Sequence, residues 1–159
     1  IGHFPFITKL RDLAAMNREL GITGVVQNHS GAFVGGDLDQ MERMLDGCHP
    51  DHIGLAFDFC HALITHGEDW VRHYERLAPR IRVVYVKDVR LPRDFVPLGE
   101  GALSRTGWVA RVRGLNLESP ISLHIEYDWA HGEPKTPDRL AAALHRDLAV
   151  LNRWLSNPA

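Results

Sequence analysis

Four short apolar runs rich in β-branched residues, GVV, IGLAF, IRVVYV and ISLHI, each stop at a cluster of polar side chains. The first runs into Gln27-Asn28-His29-Ser30-Gly31 and the second into Asp58-Phe59-Cys60-His61. The third meets Lys87-Asp88 and, further on, Pro97-Leu98-Gly99-Glu100-Gly101, and the fourth meets Glu126-Tyr127-Asp128. Helical patterns separate the runs, so the strands alternate with helices and the sheet they form is expected to be parallel. Chemistry-bearing residues recurring after successive strands point to an active site at the C-terminal face of consecutive βα units.

The spacing predicts a helix from Phe4 to Leu20, with Leu10, Leu13, Ala14, Met16 and Leu20 recurring at near-helical intervals and Gly21 placed to end it. Strands are expected at Ile22–Val26, Ile53–Phe57, Ile81–Val86 and Ile121–Ile125. Helices are expected at Leu38–Leu45 behind Asp37, at Glu68–Leu77, at Arg105–Leu115, and from Thr136 or Asp138 through Leu155. Val89 to Ser104, with Pro92, Pro97, Gly99 and Gly101, reads as a long loop. The whole is one domain over residues 1–159, without linker or low-complexity segment.

Composition narrows the function classes. At 45% hydrophobic residues the 159-residue chain can bury a core. A net charge of −2 and the absence of a Lys/Arg block argue against nucleic-acid binding through bulk positive charge. Cys48 and Cys60 have no CxxC spacing, which argues against a disulfide framework and for a reducing, cytoplasmic setting. No apolar run approaches the ~20 residues of a membrane span, so neither a membrane nor a nucleic-acid partner is expected.

QNHSG, DFCHA, VKD with PLGEG, and HIEYD, in that order, make the chain resemble the C-terminal half of the sugar-phosphate isomerase/epimerase superfamily, the xylose-isomerase-like barrels. The resemblance implies an α/β fold, a (β/α)8 TIM barrel to which this chain contributes the last four βα units. It also implies proton transfer beside a carbonyl through an enediolate, on a small sugar, sugar phosphate or polyol. In such barrels a Glu, an Asp, a His and a Glu, one from each of these four strands, hold a divalent metal. By position Asp58 and Glu126 match two of them, Gln27 stands at the first Glu position and Tyr85 at the His position. Gln27, Asp58 and Glu126 are then the metal-ligand candidates, a set with two carboxylates that suits Mg²⁺ or Mn²⁺ better than Zn²⁺. The alternative is a sugar-binding barrel, or pseudoenzyme, that has lost the metal. Phosphodiester hydrolysis of the endonuclease IV kind would need a richer His/Glu cluster and a basic surface.

Strand alternation offers a check from the residues alone. Gln27 shares parity with Val25, Lys87 with Val83 and Tyr85, and Glu126 with His124. If these side chains point into one barrel mouth, Gln27, Asp58, Lys87 and Glu126 converge. Glu126 is then the candidate base, and His61 and Lys87 are further catalytic candidates, for proton transfer and for neutralising an enediolate. Lys87 could equally form an internal ion pair with Glu126 or Asp58. His29, Glu100, Tyr127 and Gln27 are candidate substrate contacts, while Asp88 is expected to position Lys87 or to cap backbone N–H groups. Trp129 beside Tyr127 is a candidate sugar-stacking ring, and the remaining histidines, including His66 and His73, read as surface residues. The chain opens on Ile1 rather than Met and enters directly on a barrel-type helix. An N-terminal half completing the barrel is therefore expected, with a homodimer or an open doubly wound sheet as the other ways to cover an exposed sheet face.

Overall fold

The computed structural model describes residues 5–115, 121–127 and 134–156. Helix α1 (Pro5–Leu20) leads into β1 (Gly24–Gln27), followed by α2 (Leu38–Leu45) and β2 (Ile53–Asp58). Helices α3 (Phe59–His66) and α4 (Trp70–Leu77) lead to β3 (Ile81–Val86). A hairpin, β4 (Asp88–Arg90) and β5 (Asp94–Val96), precedes α5 (Trp108–Gly114), β6 (Ile121–Leu123) and α6 (Pro137–Ser156).

The main sheet has the order β1-β2-β3-β6 with every neighbouring pair parallel. Each crossover therefore steps one strand in the same direction. Parallel crossovers are right-handed, so an unreversed order lays the helices on one face, whereas a doubly wound sheet reverses direction at a switch point. The arrangement is a stretch of barrel wall, and the open-sheet alternative is set aside.

The two faces of the sheet differ accordingly. Leu55, Phe57, Val84 and Val86 point outward and are fully buried, in one core with Leu38, Met41, Leu45, Leu77 and Trp108 from the helices. Of the opposite parity, Ala56 and Asp58 in the middle of the sheet are buried, whereas Val25, Val83, Tyr85 and Ser122 are only partly covered. The uncovered face is the inner face of the barrel.

The expected strands and helices form with ends shifted by up to three residues, and two further segments are ordered that the sequence reading assigned no element. Helix α3 occupies a stretch without a helical pattern, because five of its eight residues, Phe59 to Leu63, are buried. A short helix covered on most sides has no polar face to create a period. The long loop after β3 is partly ordered as the β4–β5 hairpin. Asp88 organises it: its carboxylate accepts hydrogen bonds from the backbone N–H groups of Val89, Gly99, Gly101 and Leu103 at 2.9–3.0 Å. Gly101 must be glycine for this, since a Cβ would overlap Asp88 Oδ1 and the Val89 backbone. Among the described residues no helix is long and apolar enough to cross a membrane.

Candidate active site

The site grows from the strand ends. Asn28, immediately after β1 and fully buried, is wired to the backbone of Asp58: its side-chain oxygen accepts from Asp58 N (2.7 Å) and its amide donates to Asp58 O (2.9 Å). This clamp locks the end of β1 to the end of β2. Asp58 then caps α3, with Oδ1 accepting from His61 N at 3.0 Å, an N-terminal carboxylate cap. Capping and site roles coexist in Asp58 because its other oxygen, Oδ2, points to the inner face.

Lys87 lies at the centre of the cluster. Its Nζ is 2.9 Å from Asp58 Oδ2, 2.7 Å from Glu126 Oε2 and 2.9 Å from His61 Nε2. Its ammonium donates to Glu126 and His61 and forms an ion pair with Asp58. The Lys87 side chain is almost wholly buried, and Phe95 of β5 places its ring over Nζ at 4.9 Å. Because the ammonium donates to Nε2, the His61 proton sits on Nδ1 and donates to Ser30 Oγ at 3.0 Å. Burial, reinforced by Lys87, pushes His61 down to about 4, so the ring is neutral over the physiological range. Glu126 is the open side of the cluster, with 38% of its side chain accessible. A hydrogen bond from His124 and the Lys87 ammonium hold its carboxyl down at about 2.

Gln27, Asp58, His61, Lys87 and Glu126 are thus brought together. Gln27 Nε2 donates to Asp58 Oδ2 at 3.3 Å. His29 joins them by stacking on His61, with ring centroids 3.9 Å apart, and its Nδ1 donates to Ser30 O at 2.8 Å. Two candidates lie elsewhere. The Glu100 carboxylate pairs with Arg90 at 2.9 Å on the exposed side of the hairpin. Tyr127, of opposite parity to Glu126, is buried, and its hydroxyl accepts from Arg146 of α6 at 2.8 Å. Trp129 lies outside the described residues.

The sequence reading left Ser30 and Phe95 without a role. A serine two residues beyond Asn28 and an aromatic ring isolated in a polar, proline-bearing loop were the available signals. His73 also corrects it: the side chain is buried and stacks with His66, which accepts from Leu38 N at 3.2 Å. These two histidines tie the helices together on the outer layer, His73 buried and His66 half-buried. Cys60 donates its thiol proton to Lys87 O at 2.9 Å, and burial raises its pKa well above the ordinary value, which makes it a packing residue. A cavity of about 390 Å³ beside Glu75, Ile81, Arg82 and Leu115 lies at the opposite end of β3 and contains none of the clustered residues.

The donor set can be tested against the divalent ion that the resemblance implies. Gln27 turns its N–H₂, not its carbonyl, toward Asp58. Tyr85, at the His position, stacks on His124 with centroids 4.3 Å apart. The point between Asp58, His61 and Glu126 is already spanned by an ammonium. Among the described residues no three His, Cys, Asp or Glu side chains are arranged to hold an ion. As placed, the residues do not fit a divalent metal.

Fold and site together define a barrel with a polar cluster at its C-terminal mouth, and the chain belongs to the xylose isomerase-like TIM barrel family, which it matches over residues 5–148. It is 35% identical over 85 residues to an inosose dehydratase of Lacticaseibacillus casei, covering 52% of this chain and 27% of that protein. To the inosose dehydratase of Geobacillus kaustophilus it is 27% identical over 150 residues, covering 83% of this chain and 48% of the relative. The chain thus spans about half or less of the curated relatives it matches. Among solved structures, the probable 3-DHS dehydratase AsbF of Bacillus anthracis superposes with a TM-score of 0.69 at 16% identity, over 96% of this chain and 56% of that one. The 3-keto-D-glucoside 4-epimerase YcjR of E. coli gives 0.68 at 16% identity, over 92% and 52%. Likeness at this identity bears on the fold.

Proposed function

We propose that this chain carries the proton-moving part of a sugar-modifying enzyme that acts beside the carbonyl of a cyclic keto-polyol, with loss of water as the outcome. The observation that carries it is the 2.7 Å pair between a partly open carboxylate, Glu126, and an almost wholly buried ammonium, Lys87. A base and an oxyanion-stabilising cation side by side are what α-proton removal needs.

Glu126 takes the proton from the carbon next to the ketone, and the developing enolate oxygen turns to the Lys87 ammonium. The electron pair then re-forms the carbonyl as the hydroxyl on the next carbon departs. Glu126, now a carboxylic acid, returns its proton to that hydroxyl and water leaves, so one residue serves as base and acid. A single-base route suits a site whose first Glu position holds Gln27.

A carboxylate held at about 2 is a weak base in the free site. The substrate oxygen removes that restraint: by drawing a Lys87 proton away from Glu126, it raises the proton affinity of the base as the reaction begins. His61 and His29, stacked next to the lysine, are placed to hold substrate hydroxyls. The relatives named as inosose dehydratases support elimination over isomerisation.

The occupied donors of Lys87 favour one second reading, a barrel that binds a sugar or polyol without turning it over. Incubation with inososes and 3-keto sugars in D₂O separates the two. Deuterium entering the α-carbon, followed by an enone absorbance, supports the enzyme. Saturable binding with no exchange across the panel overturns it.

A further inference from the structure

We infer that the Lys87 ammonium is the resident cation of this site and takes the place of a divalent ion, joining three separate elements through one positive centre. Its three partners, one ion-paired and two hydrogen-bonded, come from the end of β2 (Asp58), the first turn of α3 (His61) and the segment after β6 (Glu126), at 2.7–2.9 Å. A metal held by Asp58 and Glu126 would draw its bonds from the same carboxylates, so ion and ammonium exclude each other.

Three observations make the ammonium the occupant. First, Phe95 covers Nζ at 4.9 Å and the Lys87 side chain is almost wholly buried, so its head cannot withdraw without leaving a desolvated charge unpaired. Second, Gln27 presents N–H₂ to Asp58 Oδ2, which completes that oxygen as a hydrogen-bond acceptor; the reversed amide would set oxygen against carboxylate. Third, a divalent ion arriving beside the ammonium would meet like charge in a buried setting, where screening is weak.

The inference shares its residues with the proposed dehydration, but its test reads metal binding and stability rather than turnover, so the two fail separately. The chain is purified, analysed for metals, stripped with chelator and melted with and without Mn²⁺ or Zn²⁺. The wild type is expected to carry no stoichiometric divalent metal and to show the same Tm throughout. Lys87→Ala is expected to melt lower in chelator and to recover on addition of Mn²⁺ or Zn²⁺, because Asp58, His61 and Glu126 then face an opening. Adding Asp58→Asn to that variant should abolish the recovery. If Lys87→Ala does not fold, Lys87→Met keeps the stem and the volume, and the wild-type measurement still decides. About one divalent ion per wild-type chain, whose removal lowers the Tm, overturns the inference, as does a folded Lys87→Ala chain whose Tm ignores both metals.

Discussion

Glu126 and His61 show how little their chemistry depends on their own identity. Both are ordinary side chains whose proton affinities are set by Lys87, His124 and burial. Replacing Glu126 by Gln keeps the volume and one acceptor oxygen but removes the base. Turnover is expected to fall by about 10²–10⁴-fold, the usual contribution of a positioned acid–base group, with far-UV circular dichroism unchanged; near wild-type kcat would remove Glu126 from that role. His61 makes acid stability a second test. Its folded pKa, about 4, lies below the ordinary 6.5. The unfolded chain therefore binds the His61 proton first as pH falls, and stability drops with it. The contribution is complete above about 6.5 and declines down to about 4, by roughly 3 kcal/mol. Glu126, lowered from 4.5 to about 2, adds a further loss in the same direction between those values. Urea titrations at pH 7 and pH 4.5 should show the fall, and His61→Gln should flatten the upper part of it.

At the level of elements, the hairpin after β3 hangs on one carboxylate. Asp88→Ala leaves the N–H groups of Val89, Gly99, Gly101 and Leu103 without that acceptor. A loss of about 2–4 kcal/mol is expected, with faster amide exchange at Gly99, Gly101 and Leu103 measured by NMR. Phe95 sits on the same hairpin, so the cover over Lys87 should loosen with it. A variant whose amides stay protected would show that the hairpin holds by packing alone. Helix α2 and strand β3 follow the sequence reading residue for residue, since each has a clear period or a clear β-branched run. Helix α3 does not, because burial erases the contrast between its faces.

At the level of the whole molecule, apolar surface remains uncovered at both ends of the sheet. Helix α1 leaves Leu13, Met16 and Leu20 exposed, and α6 leaves Leu140, Leu144 and Leu148, spaced four residues apart on one face. These residues fit the helical spacing read from sequence, but their partner surface does not lie within the described residues. On the inner face, Val25 is exposed as well. Patches of this kind mark contact surfaces. The 159-residue chain in isolation should sediment above its 17.9 kDa monomer mass or bind an apolar dye. Leu144→Glu with Leu148→Glu should weaken the association. A monodisperse monomer that unfolds cooperatively and binds no dye would refute this.

The sequence alone determined the alternation of strand and helix, the parallel sheet, and the shared parity that lets Gln27, Asp58, Lys87 and Glu126 face one mouth, because period and parity are local properties of the backbone. It also held both readings of Lys87, as enediolate partner and as ion-pair partner, without a means to choose. Tertiary structure decided what spacing cannot encode. Only the stacking of β1, β2, β3 and β6 in unreversed order made the sheet a barrel wall. Parity put Tyr127 against α6 and Glu126 in the mouth, and the Asp88 cap drew Glu100 to Arg90 on the outside of the hairpin. Only through-space distances placed one ammonium among three partners from segments 26 to 39 residues away along the chain. A metal-like junction of that kind depends on where side chains end, and the order of residues specifies only where they begin.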